Sequence, residues 1–309
     1  MIRFLAKRLV KAVLTIWFIL TLVFVFTRLS GDPTDWILPD DATEETRMEL
    51  RESLGLNEPI MKQYTNTLTS IFTGDAGRSY NYLRPVSELY AERIGVTLRL
   101  GLLSFTLSVV LGVTLGVIAA AHRNSLYDRV TMTLAVIGST LPNFIFGILL
   151  IFLFSLSLRV LPSSGTGPWK NYIMPMLSLA VGPTALLCTI ARLTRSSVLD
   201  VLRQDYLDCA RAKGVSERVV LLKHALRNAL IPVVTIVGLQ LGTLIGGSVV
   251  VETVFSWPGI GTLLIKAATM RDYPIIIYGV MLISVAITFV NMLVDLSYSA
   301  LDPRIRDNF

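Results

Sequence analysis

An all-α membrane protein of six transmembrane helices, with a small extracytoplasmic insertion between the first and second, is the fold class this sequence predicts, on three observations. Hydrophobic residues make up 53% of the 309 residues and charged residues 16%, with a mean hydropathy of +0.63. That is too apolar for a soluble domain of this size, and it makes the bilayer the solvent. Six apolar runs are long enough for a hydrocarbon core about 30 Å thick, which takes roughly 20 residues at a helical rise of about 1.5 Å. Lys and Arg concentrate on one of the two sides that these runs define.

The first run, 9–29, follows MIRFLAKRLVK, which carries Arg3, Lys7, Arg8 and Lys11 and no acid. It ends in FTRLSGDPTDW without a small-x-small cleavage site, and so reads as a retained span rather than a removed signal peptide. Residues 1–29 are thus the cytoplasmic N-terminus and first transmembrane helix, and 30–95 form the extracytoplasmic insertion. Within that insertion Thr43 can cap a helix that has Glu44 and Glu45 in its first turn and Gly55 just past its end. Ile60, Tyr64, Leu68 and Ile71 then recur at helical spacing up to Gly74, a stripe that reads as internal packing.

The remaining runs, at 96–121, 130–157, 173–194, 229–251 and 275–300, make a five-helix transmembrane core over 96–300, and 301–309 are a cytoplasmic tail. Six crossings put both termini on one side. That side, with the connection from Arg192 to Arg227, holds 16 Lys and Arg against 7 acids, and the other holds 12 against 14, with Asp295 left inside a span. The excess of cations assigns the termini to the cytoplasm. Trp36, Trp169, Trp257, Tyr172 and Tyr273 fall near the opposite surface, where an interfacial aromatic belt is expected.

The interior of the spans holds few charges. An ion-coupled transporter needs carboxylates or histidines at mid-membrane depth, whereas His122 and His224 fall in loops and Arg99 and Arg192 near helix ends, where they can snorkel. Gly112 and Gly116 in the second run, and Gly238, Gly242 and Gly246 in the fifth, make small-residue faces that admit a neighbouring helix. Beside the latter, Gln240, Thr243 and Ser248 are uncharged polar groups that either line a solute path or bond between helices. Pro142 with Asn143, and Pro183, are expected to kink the third and fourth spans. Cys188 and Cys209 read as packing thiols, too few for a disulfide framework or a zinc cage, and no metal site is expected.

The connection 195–228 is amphipathic and long for a linker. One short helix should run from Tyr206 to Lys213 and stop at Gly214, and a second should be capped by Ser216. Pro232 is expected in the first turn of the fifth span. Such a helix-Gly-helix knuckle suits a cleft on a partner protein. A basic loop resting on anionic lipid is the plainer reading.

In Tyr206, Ala210, Arg211, Ala212, Lys213, Gly214, Ile231 and Pro232 the chain resembles the permeases of binding-protein-dependent ATP-binding-cassette (ABC) importers, with the acid usual at the first position standing one residue earlier, at Asp205. The likeness covers nearly the whole chain and points to the first permease of the dipeptide, oligopeptide, glutathione and nickel branch. It rests also on GDP at 31–33, LGL at 54–56, GDAGRS at 74–79, RPV at 84–86, VVVETVFSWPGIG at 249–261, MRDYP at 270–274 and LDPRIR at 301–306.

The resemblance implies the type I importer permease fold. It also implies a second homologous permease, two ABC ATPase subunits that hold ATP and Mg, and an extracytoplasmic solute-binding protein. ATPase coupling is then expected at Asp205, Tyr206, Ala210, Arg211, Ala212, Lys213, Gly214, Val215 and Ser216. A translocation path or helix interface is expected at Gln240, Gly242, Thr243, Gly246 and Ser248. An outer gate or binding-protein contact is expected at Glu252, Phe255, Trp257, Pro258 and Gly259. The solute implied is a small peptide or peptide-like molecule, with glutathione or nickel as the alternative.

The chain carries no GxxxxGK[ST] phosphate loop, so the energy must come from a partner. It has no HExxH, GxSxG or paired intramembrane carboxylate, so an enzyme is disfavoured. The near-empty charge inventory and the knuckle disfavour a secondary transporter or channel. No cofactor of its own and no nucleic-acid partner is expected, and the site list includes no catalytic residue.

Overall fold

Caps, prolines and apolar runs cut the chain into helices. The computed structural model describes residues 2–181, 186–241 and 248–301, the side chains of 2–7, 72 and 295–301 excepted. Among these residues no strand forms beyond one isolated bridge between Arg78 and Pro85. Arg8–Leu29, Val86–Ala121, Glu217–Gln240 and Tyr273–Val294 are each long and apolar enough to cross a membrane, and two bent helix pairs raise the possible spans to six. The fold is the all-α membrane fold expected. The chain divides into two units, Met1–Thr97 with Pro258–Phe309, and Leu98–Trp257.

In the first unit α1 (Ile2–Leu29) packs along the last helix. Between them lie α2 (Thr34–Ile37), α3 (Glu44–Ser53) and α4 (Ile60–Thr73) of the insertion. Thr43 caps α3 by accepting from the Thr46 amide at 3.3 Å. Gly55, at φ +68°, closes it with bonds from the Gly55 amide to Glu52 O and from the Leu56 amide to Arg51 O, the paired closure that a left-handed residue permits. On α4 the apolar stripe packs inward from its second member. Tyr64 meets Phe24 edge-on at 5.2 Å and shares a 2.8 Å hydrogen bond with Thr21. Leu68 and Ile71 lie against Leu20, Tyr273 and Ile277, and Ile60 is exposed.

The second span, α5 (Val86–Ala121), opens ahead of its apolar run. Its first turns are buried against protein: Val86, Leu89 and Tyr90 pack on Ile260, Leu263, Ala267 and Ile275. The first three of these partners belong to a helix that the sequence reading left inside a connection. In the labels used below α14 is Ile260–Thr269 and α15 is Tyr273–Leu301.

The second unit begins with the rest of α5, whose Gly112 and Gly116 lie against α9 (Leu186–Val201). A Cβ on Gly116 would stand 2.6 Å from the Ala191 carbonyl oxygen, and one on Gly112 would stand 2.8 Å from Ile190 Cβ. The small face expected in the second span is therefore a backbone-to-backbone contact. After a turn with Asn124 at φ +62°, Ser125 caps α6 (Leu126–Thr140). Asp128 in its first turn takes two bonds from Arg195 of α9, at 2.5 and 2.7 Å.

The third apolar run is not one continuous helix. It breaks at Leu141-Pro142 into α6 and α7 (Asn143–Leu150, prolonged by a π-helical turn Ile151–Ser157), which lie at 108°. Leu141 is extended, at ψ 121°, because the proline ring disfavours a helical residue before it. Pro142 also withholds an amide. The fourth run is likewise two helices at 53°, α8 (Lys170–Val181) and α9. Pro183, the residue expected to kink it, lies outside the described residues. Leu102, Leu134 and Phe152 of this unit are exposed, as a lipid solvent requires.

Two further readings are corrected. Trp36 and Trp169 are exposed, but Trp257 and Tyr273 are buried and belong to no interfacial belt. Cys188 is buried against the α6 glycine Gly138, whereas Cys209 is exposed.

Candidate functional site

The knuckle in 195–228 is built from two helix ends joined by one glycine. α10 (Asp205–Ala212) ends at Gly214, which at φ +79° donates to Arg211 O (2.9 Å) while the Val215 amide donates to Ala210 O (3.3 Å). A residue with a Cβ pays strain in that conformation. Ser216 holds the N-cap position of α11 (Glu217–Val219), but its side chain makes no capping bond; its carbonyl accepts from the Val219 and Val220 amides.

The underside is a small core of Leu207, Val220 and Ala225, with Ala210 and Val215 packed on it. Ala210 therefore serves the knuckle's own packing and is not part of its open face. That face carries Asp205, Tyr206, Ala212, Lys213, Gly214 and Ser216, all exposed, and a Cβ on Gly214 would meet nothing within 4 Å. Arg211 braces the turn, donating to Asp208 at 2.7 Å and to Glu217 at 2.8 Å. These bonds, the one to Glu217 foremost, hold its guanidinium pKa above the usual arginine value. The Tyr206 hydroxyl accepts from Asn228 at 2.9 Å, tying α10 to the helix that follows.

That helix does not stop at the knuckle. α11 passes through a π-helical turn, Val220–Ala225, into α12 (Leu226–Gln240), so that Glu217–Gln240 is one membrane-length helix. Pro232 consequently lies inside a helix, not in the first turn of a separate span as the sequence suggested. α12 packs extensively on α9, through Val233 against Leu186 and Ile190. Gln240 is the last residue of α12, half-buried and with a polar partner. Gly242, Thr243 and Gly246 lie outside the described residues, and Ser248 is buried at the start of α13 (Ser248–Val254).

The residues expected at an outer gate or binding-protein contact split. Glu252, Phe255 and Trp257 are fully buried in the second unit. Phe255 packs with Leu150, Met174 and Val251, and Trp257 meets Tyr172 edge-on at 4.7 Å. No docking surface is available from these three side chains. α13 closes with Ser256 at φ +48°. Pro258 is exposed and Gly259 buried in the first unit.

A second constellation, which the sequence showed only as separate motifs, assembles in the first unit. Asp272 is buried, and its Oδ2 accepts from the Ser79 hydroxyl (2.6 Å), the Asn81 amide (3.1 Å) and the Asn81 side chain (3.3 Å). The Tyr273 hydroxyl donates to Gly31 O, and Arg271 donates to Asp32 O at 3.2 Å and pairs with Asp35 at 3.4 Å. Gly31, at φ +113°, admits the Arg271 guanidinium where a Cβ would stand 2.6 Å from it. The motifs at 31–33, 74–79 and 270–274 thus form one anchor for the insertion. Asp272→Ala should cost about 2–3 kcal/mol, because it strands a buried hydroxyl and a half-buried amide. Faster proteolysis within 30–85 and a lowered Tm are the readouts.

Membrane-length and broken helices, with an exposed knuckle continuous with one of them, are the build of a multi-pass membrane protein. Residues 112–307 match the family of binding-protein-dependent transport system inner membrane components, and 1–100 match the N-terminal part described for such membrane components; the chain belongs to this family. It is 45% identical over 307 residues to the glutathione transport system permease protein GsiC of Salmonella choleraesuis (strain SC-B67) and 44% identical to GsiC of Escherichia coli (strain K12), with 99% of each chain covered. Its fold resembles that of a chain in the inward-facing MetNI methionine ABC transporter, with a TM-score of 0.56 at 20% identity, over 70% of this chain and 97% of that one. The chain is a permease subunit of a binding-protein-dependent ABC importer, a multi-pass inner-membrane protein.

Proposed function

We propose that this permease forms half of the path for a small peptide-like solute, glutathione first among them, and that the knuckle couples it to separate ATPases. The observation that carries the coupling is the continuity of Glu217–Gln240. A force on the knuckle acts directly on a span, because a helix transmits displacement along its axis. Asp205, Tyr206, Ala212, Lys213, Gly214 and Ser216 offer the contact face, and Ala210, Arg211 and Val215 hold its shape.

In this reading both termini are cytoplasmic, as the cation excess supports, and 30–95 face outward. A homologous second permease completes the path, two ATPases hold ATP and Mg, and a solute-binding protein docks outside. ATP binding draws the knuckles together and opens the spans outward, and hydrolysis resets them. This is a two-state switch biased by both ligands. Gln240 and Ser248, with Gly242, Thr243 and Gly246, remain candidates for the path, and the segment Glu252 to Gly259 for an outer gate.

The preference for glutathione follows the name of the relatives that share 45% of residues over the full length. The test is uptake of labelled glutathione by proteoliposomes holding the complete complex and its binding protein. Accumulation that needs internal ATP and is outcompeted by unlabelled glutathione supports the reading. Uptake that persists without ATP refutes the coupling, and ATP-driven uptake of other peptides but not glutathione refutes the solute.

A further inference from the structure

The insertion does not stand clear of the first span. Its helix α4 lies against α1 well short of that helix's end: Tyr64 shares a hydrogen bond with Thr21 and meets Phe24 edge-on, and Leu68 and Ile71 join the cluster around Leu20. Thr21 stands about 12 Å short of Leu29, the last residue of α1, at a helical rise of about 1.5 Å. Leu20, Thr21 and Phe24 belong to the membrane-length stretch Arg8–Leu29, so α4 is held at the level where hydrocarbon gives way to headgroups.

The composition of α4 suits that level. Lys62 is its only charged residue and pairs with Glu58 at 2.6 Å, whereas the preceding α3 is mostly charged and buries none of its residues. The hydroxyls of Thr65, Thr67, Thr69, Ser70 and Thr73 all donate to carbonyls within α4, at 2.8 to 3.0 Å, and so ask nothing of water.

At about 3.6 residues per turn Ile60 and Met61 flank the stripe of Tyr64, Leu68 and Ile71, with Lys62, Asn66 and Thr73 on the opposite side. The stripe is covered by α1 and α15, but Ile60 and Met61 are 69% and 72% exposed. The apolar face of α4 therefore runs one turn beyond its protein contact. Along the same stretch α1 shows Phe18, Leu22 and Phe26 to its surroundings, as a lipid-facing helix does. A helix with its apolar side roughly 5–10 Å into the headgroup boundary and a lysine on its polar side has this build, and Lys62 can reach the headgroups along its own stem.

We propose that α4 is an interfacial helix whose first turn, with Ile60 and Met61, rests in the acyl chains of the leaflet on the insertion's side; the bilayer is the partner of that face. The insertion is then moored to lipid as well as to the anchor at Asp272. The proposal holds for any transported solute.

The test uses the complete complex in proteoliposomes, free of other reactive cysteines, with a nitroxide at Met61→Cys. Collision with oxygen, which concentrates in hydrocarbon, and with a water-soluble nickel chelate reports which phase surrounds the label. Leu22→Cys on α1 and Glu45→Cys on α3 serve as the lipid and water references, and Asn66→Cys marks the opposite face of α4. The expected result, without binding protein, is oxygen-dominated collision at Met61→Cys close to that of the Leu22 reference, at a depth of roughly 5–10 Å, and nickel-dominated collision at Asn66→Cys.

Nickel collision at Met61→Cys equal to that of the Glu45 reference overturns the proposal. Shielding from both reagents, or shielding that arises only once the binding protein is added, assigns the face to a protein partner and overturns it too. If Met61→Cys fails to assemble, Ile60→Cys decides by the same criteria.

Discussion

Gly214→Trp should leave the permease folded and the complex assembled, yet drive coupled ATP hydrolysis and uptake down by more than about tenfold, as loss of over 1.4 kcal/mol of seating energy would. Within the chain the first atom of the new side chain meets no neighbour, since a Cβ at Gly214 has nothing within 4 Å. Its internal cost is the left-handed backbone, about 1–2 kcal/mol for a residue with a Cβ, confined to the turn between α10 and α11. The indole projects from the open face, where the proposed coupling would seat a partner's cleft. Gly214→Asn is the control, because asparagine tolerates this conformation and is smaller. Comparing hydrolysis stimulated by the binding protein with basal hydrolysis separates failed coupling from failed assembly. Wild-type uptake in Gly214→Trp would remove the coupling role from this face.

Gly116→Leu should cost about 3 kcal/mol or more and strip the chain of stable assembly, through a different physical route. The added side chain has to displace the Ala191 carbonyl and the Thr194 side chain, each 2.6 Å from the Cβ position. A backbone carbonyl in a membrane helix cannot swing aside as a flexible side chain does, so α5 and α9 must separate. Their close contact supplies much of the association energy where lipid removes the hydrophobic drive. Gly95→Ala in the same helix is the matched control, since nothing lies within 4 Å of its Cβ and alanine gains about 1 kcal/mol of helix propensity. Unfolding in mixed micelles measures both. Equal stability of Gly116→Leu and wild type would mean that α5 and α9 do not need this approach.

The two variants divide the protein by where a glycine is needed. At Gly214 the backbone dihedral and an external surface require it, and at Gly116 a neighbouring helix does. Both glycines stood out in the sequence, but on different grounds. Gly214 sat between a helical run and a capping serine, which is local information. Gly116 was one half of a four-residue spacing that named a close contact without naming the partner.

Other features were invisible for the same reason. Asp128 and Arg195 are 67 residues apart, and Asp272 and Ser79 are 193 apart. No pattern within either stretch announces the bond. Glu252, Phe255 and Trp257 looked like surface groups because they sit in a connection. Their burial depends on α7, α8 and α13 converging around them.

What the sequence determined by itself was everything set by short-range forces and by transfer to lipid. The apolar runs, the cap at Thr43, the stops at Gly55, Gly74 and Gly214, and the side carrying the cations follow from residues within a turn or a span of one another. What only the tertiary structure decided was the bend of 108° at Pro142, the fusion of the knuckle to a span and the anchor at Asp272. A proline dictates that a helix be interrupted, but the angle at which the chain resumes is set by the packing of distant helices. A buried charge likewise takes its role from whichever partners the fold brings within hydrogen-bond distance.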